Sequence, residues 1–133
     1  MPVISKRYKI YKQIAVPIVG IGIKYGNSWY PVEAYVDSGA TYSVFHARVA
    51  DRIGLNFKEG KLTYVEVGDG GLISVFLFDL EILFGGENFI ATIGFSEKLG
   101  VGFNLLGRKS VFDKFKICFD EREKIITFQK FED

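Results

Sequence analysis

Asp37 closes an apolar run, Val32-Glu33-Ala34-Tyr35-Val36, and is followed at once by Ser38-Gly39-Ala40-Thr41. A carboxylate that leaves an extended segment against Ser and Gly sits where the chain turns sharply, which presents the acid at a loop tip. The chemistry open to it is proton transfer to and from a water or a substrate. Rival chemistries find little material. One His and one Cys leave a zinc site dependent on several carboxylates, and no metal-ligand spacing occurs. A Ser-His-Asp triad would have to use His46, yet no Gly-x-Ser-x-Gly is present; His46 is expected at the surface or at the start of a helix. Gly20-Ile21-Gly22 opens like a dinucleotide loop but reaches Tyr25 where the third glycine belongs, without a βαβ frame. No metal or cofactor is expected.

A second element lies downstream. Phe103-Asn104-Leu105-Leu106-Gly107-Arg108 precedes Lys109-Ser110-Val111-Phe112-Asp113, which has the spacing of a short helix. An apolar strand ending in Asp-Ser-Gly-Ala, paired with a later apolar-apolar-Gly-Arg element, resembles the single-lobed aspartic proteases, the retropepsins and their bacterial and archaeal relatives. The likeness runs from about Ile14 to the last strand. It implies an all-β, closed retropepsin-like barrel lobe with a flap hairpin and one or two short helices. It implies Asp37 as the catalytic acid, with Leu105, Leu106 and Gly107 packed behind its loop. Ser38 would reach the other subunit's loop, Gly39 would bring a backbone N–H close to the carboxylates, and Ala40 would supply no hydroxyl. The flap would run from Val67 to Leu72, and its glycine-rich turn Gly68-Asp69-Gly70-Gly71 would, with Leu105, contact substrate. Phe103 would add to the apolar lining.

Length then decides how many acids one chain supplies. At 133 residues and 15.0 kDa the chain holds one core, and Asp-Ser or Asp-Thr followed by Gly occurs once. Residues 1–133 are expected to form a single retropepsin-like domain. An aspartic endopeptidase built from it would be a homodimer, with one Asp37 from each subunit and a peptide or unfolded protein as substrate. The alternatives are a dimerising or peptide-binding module that keeps the fold without turnover, and a small β-barrel ligand binder.

Composition points the same way. Hydrophobic residues make up 48%, with 13 Phe and 15 Gly against 3 Pro, which suits short strands joined by tight turns. Seventeen basic and 16 acidic side chains nearly cancel, so nothing favours nucleic acid or an anionic membrane as partner. Cys118, alone in the alternating run Phe115-Lys116-Ile117-Cys118-Phe119, is expected to be a buried thiol, and a lone cysteine fits a reducing, cytoplasmic setting. Basic residues precede the apolar run Ile14 to Ile23, but Pro17, Gly20 and Gly22 interrupt it and it is too short to span a bilayer, so it reads as the first strand.

The remaining elements follow from periodicity and turn residues. Ala47 to Ile53 has helical spacing, with Gly54 as its stop. Lys61 to Val67 and Leu72 to Phe84 flank the glycine-rich turn, and Gly85-Gly86 leads into Asn88 to Phe95. Phe115 to Asp120 and Lys124 to Phe128 form a last hairpin closer to a pepsin lobe than to a retroviral ending. Thr41 also departs from the retroviral pattern, where an acid at this position pairs with the later arginine; the partner of Arg108 is left open.

Overall fold

The computed structural model describes residues 3–132. Alternation of apolar and polar residues makes most of this length strand, and one sheet closes on itself. Strand β4 (Ile18–Tyr25) turns through Gly26-Asn27 into antiparallel β5 (Ser28–Val36). Strand β6 (Ser43–His46) runs parallel to β9 (Glu87–Ser96), which pairs antiparallel with the long β8 (Leu72–Phe84). Strand β10 (Asn104–Leu106) lies between β5 and β6, parallel to the first and antiparallel to the second. The ring β4-β5-β10-β6-β9-β8 is completed where Gly22 faces Leu83 and Ile23 faces Ile82. Closure removes two sheet edges that would otherwise stay unpaired.

Inward positions of these strands meet in the barrel core, where Ile23, Ile82, Ile93, Phe95, Phe45 and Leu106 are fully buried. Strand β7 (Lys61–Glu66) pairs only with the first half of β8 and extends the sheet beyond the barrel. A smaller cluster of Val44, Ile73 and Val75, with Val65, Val67, Leu77 and Leu99 packed on it, lies beneath that hairpin. Helix α1 (Ala47–Ile53) follows β6 directly and buries Ala47, Val49, Ala50 and Ile53. It stops at Gly54, whose φ of 84° supplies the left-handed turn expected there.

A three-stranded sheet docks on the barrel. The hairpin of β11 (Phe115–Asp120) and β12 (Ile125–Lys130) has the form expected from the sequence, and β1 (Val3–Arg7) adds to β12 antiparallel. Phe84 binds the two parts, with its ring centroid 4.6 Å from Phe128 and 5.2 Å from Phe115.

Three sequence-based expectations change. The run Ile14 to Ile23 is neither one strand nor the first. Pro17, which has no N–H to give a ladder, separates β3 (Ile14–Val16) from β4, and β3 pairs instead with β2 (Lys9–Tyr11). Cys118 is exposed, because period-two alternation turns Phe115 and Ile117 toward the barrel and Cys118 to the opposite face. The segment Arg108–Phe112 is an irregular turn rather than a regular helix, with Ser110 at φ 71°. Among the described residues no helix is long and apolar enough to cross a membrane.

Ile82 sits at the seam that closes the ring and is fully buried. Ile82→Ala should lower unfolding free energy by about 2–5 kcal/mol, read from the urea midpoint at unchanged slope.

Candidate active site

Three segments build the site. Strand β5 delivers Asp37 at its end, β10 runs alongside it with Leu106 opposite Val36, and the chain between Asp37 and β6 wraps over the end of β10. This loop has no ladder of its own, so its polar backbone bonds to β10 and to the residues after it. Asp37 N–H donates to Leu106 O at 2.9 Å, Arg108 N–H to Ala40 O at 2.8 Å, and Lys109 N–H to Thr41 O at 2.9 Å. Inside the loop, Ala40 N–H donates to Asp37 O and Gly39 N–H to Asp37 Oδ1, the latter at 2.8 Å. Gly39 thus brings its N–H to the carboxylate, and Asp37 is half-buried with its face open to a cleft.

Gly107 has the tightest requirement. A Cβ there would lie 2.4 Å from Tyr42 O and 2.8 Å from Ala40 O, so the chain passes the loop only without a side chain. Its N–H donates to Ser43 Oγ at 3.0 Å, and Ser43 is fully buried. Leu106 is buried behind the loop, whereas Leu105 faces the cleft. Arg108 finds its partner at the position where the retroviral pattern has an acid: Nη2 donates to Thr41 Oγ1 at 3.1 Å. A neutral hydroxyl therefore substitutes for an ion pair.

The cleft measures about 1270 Å³ and runs from the Asp37 loop to the β7–β8 hairpin. Gly68, Asp69 and Gly71 of the hairpin tip line it; Gly70 does not, but its φ of 85° makes the turn. Val67 N–H donates to Gly71 O, Gly70 N–H to Val67 O, and Gly71 N–H to Asp69 Oδ1, each at 2.8 Å. Ser38 is exposed, does not line the cleft and makes no hydrogen bond among the described residues. Phe103 lines the wall and stacks on Tyr35 at 4.8 Å between centroids. Burial, then the Asp37 carboxylate, raises the Tyr35 pKa and keeps its phenol protonated.

Ser43 and Asn104 carry structural roles that the sequence did not announce. Asn104 bridges two strands, donating from Nδ2 to Glu33 O and accepting at Oδ1 from the backbone N–H of His46, each at 2.9 Å. The signal available for both is a short polar side chain inside an apolar strand next to the Gly-Arg element. His46 starts α1, as one of the two expected placements had it, but it is buried rather than on the surface. Burial, then the nearby Arg48, lowers its pKa from the ordinary 6.5, partly offset by the backbone of Val101 and Phe103. Among the described residues no cluster of His, Cys, Asp and Glu could hold a metal ion.

Two outcomes follow. Ser43→Ala strands the buried Gly107 N–H and should cost about 1–3 kcal/mol in denaturant unfolding, while Ser43→Thr, which keeps the acceptor, should cost less. His46 binds its proton less readily in the folded than in the unfolded chain. Its stabilising effect is therefore complete above pH 6.5 and declines as pH falls below that toward the lower folded value. Melting curves across this window should show the decline in the parent and a flatter limb in His46→Gln.

No family model and no curated protein matches the sequence. Solved structures do match the fold. The crystal structure of a retropepsin-like aspartic protease from Rickettsia conorii superposes with a TM-score of 0.70 at 16% identity, over 96% of this chain and 91% of that one. EIAV protease complexed with the inhibitor HBY-793 superposes with a TM-score of 0.57 at 19% identity, over 79% of this chain and 93% of that one. With its closed six-stranded barrel and β10 threaded behind the Asp37 loop, the chain has the retropepsin-like fold of the aspartic proteases.

Proposed function

We propose that the chain is an aspartic endopeptidase, that residues 1–133 act as one catalytic domain, and that two copies form each active site. The observation that carries this reading is the half-buried Asp37 carboxylate, held by Gly39 N–H on a loop whose backbone bonds to Leu106 and packs on Gly107, and open to a large cleft under a glycine-tipped hairpin. Each chain supplies one Asp-Ser-Gly, and a water needs both a base and an acid beside it. A second Asp37 from the partner subunit meets that need.

Two carboxylates brought together hold one proton between them, because like charges at short range do not both ionise; the handling of one proton by an aspartic protease dyad is the standard example of this effect. The ionised Asp37 takes a proton from the water as its oxygen bonds to the peptide carbonyl carbon. The protonated Asp37 donates to the carbonyl oxygen. Proton transfer to the amide nitrogen then lets the C–N bond break, giving a carboxylic acid and an amine. Gly39 N–H steadies the charged oxygen, and Ser38 would tie the two loops together. The hairpin tip at Gly68, Asp69, Gly70 and Gly71 would act as a flap, closing on an extended peptide whose side chains meet Leu105 and Phe103. The substrate is a peptide or an unfolded protein, and the proposed setting is the cytoplasm, where an exposed Cys118 stays reduced.

Asp37→Asn should abolish cleavage of an unfolded protein while leaving melting temperature and dimer mass unchanged; retained cleavage removes the reading. Refolding equal amounts of parent and Asp37→Asn chains together discriminates a shared site from one within each chain. Specific activity per total chain should fall to about one quarter for a shared pair of acids and to about one half for self-contained sites. A straight-line dependence on the parent fraction would exclude the shared site.

A further inference from the structure

Behind Phe103, on the side away from Asp37, a second groove of about 550 Å³ opens between α1, β4, β5 and the β2 strand. Its floor is apolar, with Ile18, Val32 and Val49, and its rim is cationic, with Lys9, Arg48 and Arg52. The one carboxylate in it, Glu33, is paired with Lys9. Arg48 and Arg52 lie four residues apart on α1 and so share a face. Arg52 Nη2 donates to Pro31 O at 2.7 Å, a carbonyl that cannot neutralise it, and Arg48 has no ion pair or hydrogen bond among the described residues. The polar groups of Asn104 are already spent on Glu33 O and His46 N–H. Two guanidinium charges are thus left uncompensated over an apolar floor.

This groove adjoins the cleft at one side chain. Phe103 lines both; its face stacks on Tyr35 of the cleft, and it makes a T-shaped contact with Tyr11, which lines the groove, at 5.2 Å between centroids. A peptide lying extended in the cleft and continuing past Phe103 would advance about 3.3 Å per residue into the groove. We propose that the groove is a distal substrate subsite that selects an Asp or Glu side chain several residues from the cleaved bond. Arg48 and Arg52 supply charge-assisted hydrogen bonds to the carboxylate, and the floor takes the apolar part of a neighbouring residue. The inference rests on the reading of the Asp37 cleft as a peptide site.

The test uses the 133-residue Asp37→Asn protein, so that bound peptides stay whole. Fluorescein-labelled peptides with an apolar pair at the centre carry Glu at three, four or five residues to either side, each with a Gln twin. At low salt at least one Glu peptide should bind about five- to tenfold more tightly than its twin, the scale that two exposed ion pairs supply. That advantage should shrink in high salt and vanish in Arg48→Glu, a change that the first turn of α1 tolerates. Equal binding of all twins, or an advantage that survives Arg48→Glu combined with Arg52→Gln, overturns the proposal. So does inorganic phosphate that binds as tightly as the Glu peptide and displaces it, which would mark a simple anion site. In the parent protein the same preference should appear in KM with kcat unchanged. Cleavage without charge preference removes the subsite and leaves the protease; charge-dependent peptide binding by a protein that cuts nothing leaves the subsite and removes the protease.

Discussion

A short strand forced between two others, with no room for a side chain at its end, is the constraint on which the site depends. Strand β10 must fit between β5 and β6, and Gly107 must then pass within bonding distance of the loop that carries Asp37. Every backbone group that this crossing buries needs a partner. The partners are reciprocal: the Asp37 loop is satisfied by Leu106, Arg108 and Lys109, while Gly107 is satisfied by Ser43. The acid therefore sits on a loop whose backbone is tied to β10 and to the residues after it by hydrogen bonds.

The rest of the fold holds that crossing in place. Closure of the ring through Ile23 and Ile82 fixes the spacing of β5 and β6, and Leu106 projects into the same core as Phe45 and Phe95. The hairpin above the cleft is built on different terms. Its base rests on the small Val44, Ile73 and Val75 cluster, but its tip is tied by three hydrogen bonds within the turn itself. Few buried contacts and solvent-facing backbone bonds place such a tip at the low end of local stability. The cleft thus has a hydrogen-bonded floor at the Asp37 loop and a roof whose tip is held mainly by its own turn.

Charge is distributed unevenly over a molecule whose total is near zero. The cleft keeps a neutral Tyr35 beside Asp37, and Thr41 meets Arg108 with a hydroxyl where an acid would have added charge. Positive charge gathers instead on the outward face of α1, across Phe103 from the cleft. The stacked rings of Phe103 and Tyr35 stand where the two environments meet.

The sequence by itself determined what is local. Glycine-tipped turns between alternating runs set β7, β8 and β9 almost residue by residue, and helical spacing with Gly54 behind it set α1. Asp37-Ser38-Gly39-Ala40 and Leu105-Leu106-Gly107-Arg108 marked the two halves of the site because each half is one contiguous segment. Only the tertiary structure decided who meets whom. That β1 joins β12, that Ser43 serves Gly107, that Asn104 ties β5 to β6, and that Arg108 ends on Thr41 all join residues far apart in the chain. Cys118 shows the same limit from the other side: alternation states that neighbours face opposite ways, but which face is covered depends on where the barrel lies. Periodicity encodes the shape of a segment, whereas burial and pairing are properties of the packed whole.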